Sequence, residues 1–110
     1  MYIGEVEGLS ASRQALFFIK FNMEGFVYIL QSQRNWSYYV GSTTDIERRL
    51  FEHNSGQTTS TRNLVPWKLV FFKSYSDIKI ARQIEYKIKK LKSKKIIERI
   101  IADQYISMGG

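Results

Sequence analysis

The sequence predicts an α/β protein of the α+β type, with a small, mainly antiparallel three-stranded sheet flanked by helices. Three stretches, at residues 26–30, 38–40 and 67–75, have the apolar and aromatic composition of strands. Capped helical patterns follow the second and the third of these stretches. A chain of 110 residues makes one domain, and a hydrophobic content of 44% is typical of a globular protein.

The chain divides into a core and two terminal segments. We expect residues 1–22 to be an N-terminal extension outside the core, residues 23–103 to form the domain, and residues 104–110 to be a tail. The apolar run at residues 16–19 is too short to span a bilayer. It lacks the charged flank and small-residue cleavage site of a signal peptide. We therefore expect a cytoplasmic protein with no membrane segment, and we take it to be a monomer.

The first two strands and the helix after them form one continuous unit. Residues 26–30 read as a buried strand, residues 31–37 as a polar turn, and residues 38–40 as a second strand that Gly41 should end. Thr44 and Glu47 fit a capping box, which predicts a helix starting near Asp45 and running to about His53.

The sides of this first helix differ in a way that bears on function. Ile46, Leu50, Arg49 and His53 share one arc, whereas Arg48 points to the opposite side. An arginine beside the packed stripe needs an anionic partner, unless it extends along the surface to water. Both interpretations of Arg49 are open from this helix alone.

The next segment is a loop followed by the third strand. Residues 55–63 are rich in Ser and Thr, so we expect an exposed, mobile loop in which Arg62 suits phosphate oxygens. Residues 67–75 carry apolar side chains on both faces, which predicts a central strand.

Two helices should complete the domain. Ser76 or Asp77 can cap the first of them, and Glu85 lies at the edge of its apolar stripe, where most glutamates are simply solvated. Residues 92–95 should break the chain, with Ser93 as a cap for a helix over residues 95–102. The stripe of the first of these helices comprises Ala81, Ile84, Ile88 and Leu91.

Positive charge is concentrated in the last third of the chain. The net charge is +7, the pI is about 9.7, and the segment 82–99 has eight basic and two acidic residues. A lysine run is most often a solvated helix face, but this density favours contact with a phosphate backbone. The candidate contacts are Lys89, Lys90, Lys92 and Lys94.

The metal-ligating residue types are few. Cysteine is absent and there is one histidine, which excludes disulfides and leaves too few ligands for a zinc site. A metal would have to be a hard ion held by carboxylate and water oxygens, which points to Mg²⁺ or Mn²⁺.

An ordered set of residues on the first strands and helix resembles the catalytic core of the GIY-YIG endonuclease superfamily. Tyr28 and Tyr39 stand on neighbouring predicted strands, Gly41 follows, and Arg49 and His53 lie on the helix. The resemblance is to the small single-domain bacterial members and covers residues 23 to about 101. The second motif matches well, whereas the first reads Val-Tyr-Ile and lacks the glycine of the family pattern.

The resemblance implies a role for each of these residues. Arg49 would stabilise the charge on the phosphate in the transition state, and Glu85 would hold the Mg²⁺ or Mn²⁺ ion. Tyr28 would be the general base, with Tyr39 orienting the water or contacting the phosphate. Nearby cations would favour the phenolate form of Tyr28, and His53 would either add to this effect or accept the proton of Tyr28. Gly41 would let the chain turn sharply and a phosphate approach the backbone.

These observations predict a metal-dependent endonuclease that hydrolyses phosphodiester bonds in DNA. We expect structure-selective or weakly selective cutting, as in repair, recombination or processing, and the sequence does not exclude RNA. The alternative is a non-catalytic nucleic-acid-binding module that uses the basic helices and the aromatic residues. A protein-interaction domain would explain neither the charge nor the ordered residues.

Overall fold

A computed structural model describes residues 24–107 and confirms the predicted α+β class. The predicted extension, residues 1–22, lies outside the described residues, as do residues 108–110. The strands are β1 (Gly25–Ser32), β2 (Tyr38–Thr43) and β3 (Trp67–Tyr75). The helices are α1 (Ile46–Asn54), a 3₁₀ turn (Arg62–Leu64), α2 (Ile78–Leu91) and α3 (Lys94–Asp103).

The sheet is antiparallel with the order β2-β1-β3, so the prediction that β3 is central is wrong. Strand β1 pairs on both sides, with Tyr28 opposite Gly41 on β2 and opposite Phe72 on β3. The prediction was based on the apolar residues on both faces of β3. Such residues show that both faces of a strand are covered, but they do not show whether it pairs with another strand on both edges. Phe72 on β3 is 54% exposed, so this part of the strand is not covered by a helix.

Helices cover the two faces of the sheet unequally. Val27 and Ile29 of β1 pack in a large apolar cluster with α2 and α3, whereas Tyr28 and Leu30 point the other way, toward α1. Of the predicted α2 stripe, the first three members are buried, but Leu91 is 48% exposed because α2 ends there.

Short polar side chains set the element boundaries. Gly41 does not end β2, which continues to Thr43. Helix α1 is capped by Asp45, whose carboxylate accepts from the Arg48 amide at 3.0 Å, so the capping box at Thr44 is wrong by one residue. Ser93 caps α3 as predicted, accepting from the Ile96 amide.

The packed region extends beyond the predicted core boundary at residue 103. Ile106, in the segment predicted as a tail, is 3% exposed and belongs to the apolar cluster on the α2 face. Within residues 24–107, every helix is too short or too polar to cross a membrane.

Candidate active site

Tyr28 lies at the centre of the α1 face, on the central strand. Its side chain is 2% exposed, and Gly41 is its cross-strand neighbour. A Cβ atom at position 41 would overlap the Tyr28 phenol. Gly41 is therefore needed to make room for the tyrosine ring, and the sharp turn predicted at this glycine is not its role.

His53 joins helix α1 to Tyr28. The imidazole is fully buried, with its Nε2 atom 2.9 Å from the Tyr28 hydroxyl and its Nδ1 atom 2.8 Å from the Thr61 hydroxyl. Both ring nitrogens thus have a partner, as a buried polar group requires. The prediction that His53 faces the sheet beside Leu50 agrees with this placement.

Sequence reasoning missed Thr61. It lies in the loop predicted to be exposed, yet it is 1% exposed. The Trp67 indole donates to the Thr61 carbonyl at 2.8 Å, and the Asn54 side chain exchanges hydrogen bonds of 2.6 and 3.0 Å with the Trp67 backbone. The available signal was His53 itself, since a buried imidazole needs a partner for each ring nitrogen.

Tyr39 packs across the same group of rings. Its ring centroid lies 4.8 Å from that of His53 and 6.3 Å from those of Tyr28 and Trp67. The Lys89 ammonium lies 5.3 Å from the centroid of the Tyr39 ring. Tyr39 is half-buried, so it lies between the buried Tyr28–His53 pair and the lysines of α2.

Arg48 and Arg49 differ in exposure, but both side chains reach the carboxylate of Glu52, which the projection onto opposite sides of the helix did not predict. Arg49 is half-buried and pairs with the Glu52 carboxylate at 2.9 Å, while exposed Arg48 approaches the other oxygen of Glu52 at 3.5 Å. The hydrogen bond to Glu52 raises the pKa of Arg49 above its usual range, and the nearby Tyr28 adds to this shift. Arg49 therefore stays cationic beside the phenol of Tyr28.

Glu85 approaches from helix α2, which packs on the opposite face of the sheet. One carboxylate oxygen accepts a hydrogen bond from Ser42 on the edge strand β2, with a donor–acceptor distance of 2.5 Å. The other lies 2.6 Å from the Lys89 ammonium. Glu85 is thus held at the edge strand β2 by Ser42 and Lys89, and its charge adds a small part of the rise in the pKa of Tyr28.

Burial determines the protonation states of Tyr28 and His53. It raises the pKa of Tyr28 to about 12; Tyr39 and Glu85 add to the shift, and Arg49 opposes it. Burial therefore outweighs the charge of Arg49, and the expectation that the metal ion and Arg49 together favour the phenolate stays a prediction. Burial, reinforced by the charge of Arg49, lowers the pKa of His53 to about 4. At neutral pH the pair is a neutral phenol and a neutral imidazole.

The structure separates the predicted phosphate-binding residues into different surfaces. Lys89, Lys92 and Lys94 line a groove of about 440 Å³ between β2 and helices α2 and α3, together with Tyr38 and Tyr39. We call this the lysine groove; it shares Tyr39 and Lys89 with the surroundings of Tyr28 and Glu85.

Two further predicted phosphate contacts, Lys90 and Arg62, lie elsewhere. The Lys90 ammonium is 5.9 Å from the centroid of the Tyr86 ring, on a surface that these two residues share with Arg82 and Lys87. Arg62 is exposed in the 3₁₀ turn that follows Thr61. The structure therefore brings three of the four predicted lysines together.

The oxygen atoms around Glu85 fit a hard divalent ion. Its carboxylate and the Ser42 hydroxyl supply oxygen ligands, but residues 24–107 contain no group of three His, Cys, Asp or Glu side chains. Mg²⁺ is commonly held by one or two carboxylates with water and substrate phosphate oxygens. The site fits an ion that the phosphate helps to hold, provided that Lys89 yields its contact with Glu85.

Comparisons with known proteins place the chain in a family. The family model described as the GIY-YIG catalytic domain matches residues 24–98. A UPF0213 protein of Bacillus licheniformis is 41% identical over 80 residues, covering 72% of this chain and 80% of that protein. One of Natronomonas pharaonis is 38% identical over 80 residues, covering 72% of this chain and 92% of that protein.

A solved structure is also similar. The solution NMR structure of a UPF0213 protein from Bacillus halodurans has 34% sequence identity and a TM-score of 0.47, covering 73% of this chain and 84% of that one. The names of these relatives state no activity.

Proposed function

Since this chain belongs to the GIY-YIG family, we propose that it is a metal-dependent endonuclease that hydrolyses phosphodiester bonds in DNA. The observation that carries the proposal is the set of groups around one phenol. The Tyr28 hydroxyl is hydrogen-bonded to the buried His53 imidazole, which is itself held by Thr61, and Arg49 and Glu85 shift the pKa of the phenol in opposite directions. A packing role for Tyr28 would require none of these charged groups.

Tyr28 and His53 would together take the proton of the attacking water. With a pKa near 12 the phenol holds its proton at neutral pH, so it is a poor base alone. Its hydrogen bond to His53 gives the phenol proton an acceptor, so the phenol oxygen can take a proton from water while its own passes to Nε2. Because burial lowers the pKa of His53 to about 4, this transfer would need the negative charge of the bound phosphate to stabilise the imidazolium. The water oxygen bonds to phosphorus and the bond from phosphorus to the 3′ oxygen breaks. The leaving 3′ oxygen takes a proton from solvent, and the imidazolium returns its proton to solvent.

Arg49 would stabilise the charge that develops on the non-bridging phosphate oxygens. Its guanidinium is permanently charged and presents several donors in a fixed geometry. Glu52 now accepts one of them at 2.9 Å. A phosphate would therefore share Arg49 with Glu52, or displace it.

Glu85, with Ser42, would hold Mg²⁺ or Mn²⁺. The ion would neutralise charge on the leaving oxygen and the phosphate. Lys89 now occupies the position beside Glu85, and in the loaded site its ammonium is free to contact a phosphate in the lysine groove.

The lysine groove supports DNA as the substrate. Three lysines beside two tyrosines suit a strand whose phosphates lie near the charges. Phosphate contacts of this kind carry no sequence information. Structure-selective or weakly selective cutting is therefore the expected behaviour, and repair, recombination or processing is the corresponding role.

One observation favours a non-catalytic nucleic-acid-binding module instead. The Lys89–Glu85 ion pair, at 2.6 Å, satisfies the carboxylate without a metal. In such a module Glu85 would serve only to position Lys89.

Cleavage by matched variants separates the two functions. The assay follows labelled linear and branched DNA, and RNA, with and without Mg²⁺ at near-saturating protein. Arg49→Ala and Glu85→Ala should each lower the rate about a hundredfold or more. Arg48→Ala removes the same charge from the exposed side of α1 and should keep most of the activity.

The results of this assay distinguish an endonuclease from a binding module. A Glu85→Ala protein that cuts at the wild-type rate contradicts the metal assignment. If the wild type cuts no nucleic acid in any of these conditions, the binding module is the better account. In that case Arg49→Ala should weaken DNA affinity and Glu85→Ala should leave or strengthen it.

A further inference from the structure

We infer that Thr61 is a positioning residue that fixes the tautomer of His53, with the proton on Nδ1, so that Nε2 is free to accept from Tyr28. The catalytic consequence rests on the proposed function, whereas the tautomer itself does not. Thr61 belongs to none of the sequence-predicted sites.

The hydrogen bonds around His53 run in one direction. The Tyr28 phenol has one proton to donate, and His53 Nε2, at 2.9 Å, is the acceptor that the structure places against it. An Nε2 atom that accepts requires the proton on Nδ1, which lies 2.8 Å from the Thr61 hydroxyl.

The Thr61 hydroxyl can accept from Nδ1 because its own proton has another acceptor. The Thr58 carbonyl lies 3.4 Å from Thr61 Oγ1, a longer contact than the one to His53. The Thr58 carbonyl also accepts a hydrogen bond from the Thr61 amide at 3.1 Å, which fixes the backbone position of Thr61. In the opposite tautomer Nε2–H would donate to the phenol oxygen, and the hydrogen bonds of residues 24–107 would then leave the Tyr28 proton without an acceptor.

The surroundings hold Thr61 firmly enough for this role. Thr61 is 1% exposed, and the Trp67 indole fixes its carbonyl at 2.8 Å. Trp67 is in turn held by Asn54, one residue after His53. Helix α1, the loop and β3 are thereby joined around the imidazole.

The test is an NMR measurement on the whole chain. The protein has one histidine, so ¹H–¹⁵N correlations of the imidazole in untagged, ¹⁵N-labelled protein at pH 7 report His53 alone. We expect the neutral Nδ1–H tautomer in the wild type. An Nε2–H tautomer there overturns the inference, whatever the variants do.

Variants then assign the cause to the Thr61 hydroxyl. Thr61→Val keeps the shape but removes the acceptor, so the Nδ1–H tautomer should lose its dominance and cleavage should fall about tenfold or more. Thr61→Ser keeps the hydroxyl and should restore both. A Thr61→Val protein that retains the Nδ1–H tautomer contradicts the inference even if its stability falls.

The tautomer of His53 and the nuclease activity can be tested independently of each other. If the wild type cuts nothing, the NMR spectra still decide the tautomer. If the tautomer behaves as expected and Thr61→Val cuts at the wild-type rate, the positioning role in catalysis is wrong while the nuclease proposal stands.

Discussion

The two faces of the sheet are lined by different types of residue, although both include side chains of strand β1. On the α2 face the buried residues are almost all aliphatic or aromatic, including Val27, Ile29, Ile84 and Ile88. On the α1 face the buried cluster is small, and His53 and Thr61 are buried beside Tyr28. Alternation along a single strand therefore separates a stabilising core from a chemical site.

The difference teaches where the free energy of folding comes from. Burial of apolar surface is roughly proportional to area, so the α2 face tolerates exchange among side chains of similar volume. Each buried polar group of the α1 face needs a specific partner, since an unsatisfied one costs about 1–3 kcal/mol. Substitutions of the buried apolar residues on the α2 face should change stability, and those on the α1 face, together with Glu85 at the edge strand β2, should change chemistry and pH response.

The largest change in stability should follow the loss of a side chain on the α2 face. Ile84 is 1% exposed, so Ile84→Ala should lower the free energy of unfolding by about 2–5 kcal/mol. Urea denaturation measures it, and Leu91→Ala on the same helix is the control, because Leu91 is 48% exposed. If the two variants lose equal stability, the α2 face is not the main core.

A somewhat smaller effect should appear as a pH dependence that comes from the α1 face. The pKa of His53 is about 4 in the folded protein against an ordinary value of 6.5. Between pH 6.5 and 4 the unfolded chain takes up a proton that the folded protein does not. Stability is therefore full above pH 6.5 and should fall by about 3 kcal/mol as the pH drops through this window.

The His53 contribution is isolated by substitution. Urea denaturation of the wild type and of His53→Gln at pH 7 and pH 4.5 gives the difference, and the variant should lack this part of the pH dependence. Equal pH dependence in the two proteins would mean that His53 is not held neutral by burial.

The smallest effect concerns the lysines, and it tests a surface that joins the two faces. Lys92 and Lys94 line the lysine groove, whereas Lys87 and Lys90 lie beside Tyr86. The double variant Lys92→Gln/Lys94→Gln should flatten the salt dependence of DNA binding by about one unit for each lysine that binds a phosphate in the wild type. Lys87→Gln/Lys90→Gln removes the same charge and should leave the slope nearly unchanged, as measured by fluorescence anisotropy. Equal slopes in the two variants would mean that Lys92 and Lys94 are solvated surface residues that do not bind phosphate.

The sequence was sufficient wherever local pattern decides structure. Strand composition, helix projection and short polar caps predicted the element types, the inward position of His53 and the Ser93 cap. It failed where the outcome depends on pairing between distant segments. The apolar faces of β3 do not reveal that it is an edge strand, since that depends on which strand pairs with β1.

The site shows the same division. The order of Tyr28, Arg49 and His53 along the chain was enough to predict the family, which the comparison with the GIY-YIG model confirms. Thr61 could not be found in this way, because its loop looks exposed until Trp67 packs against it. The Gly41 requirement was also hidden, since it comes from the cross-strand register with Tyr28.

Cleavage by Tyr28→Phe tests the central claim most directly. The variant keeps the buried ring but removes the hydroxyl that contacts His53. It should stay folded, with its stability lower by about 1–3 kcal/mol because Nε2 is left unsatisfied. Tyr86→Phe, at a tyrosine that is 64% exposed, is the matched control and should change neither stability nor rate.

The measurement is the rate of Mg²⁺-dependent cleavage of labelled DNA by the wild type and these two variants, each shown to be folded by urea denaturation. The account predicts a loss of about 10²–10⁴-fold for Tyr28→Phe and none for Tyr86→Phe. A folded Tyr28→Phe protein that cuts as fast as the wild type would contradict it, and the α1 face would then be a second core.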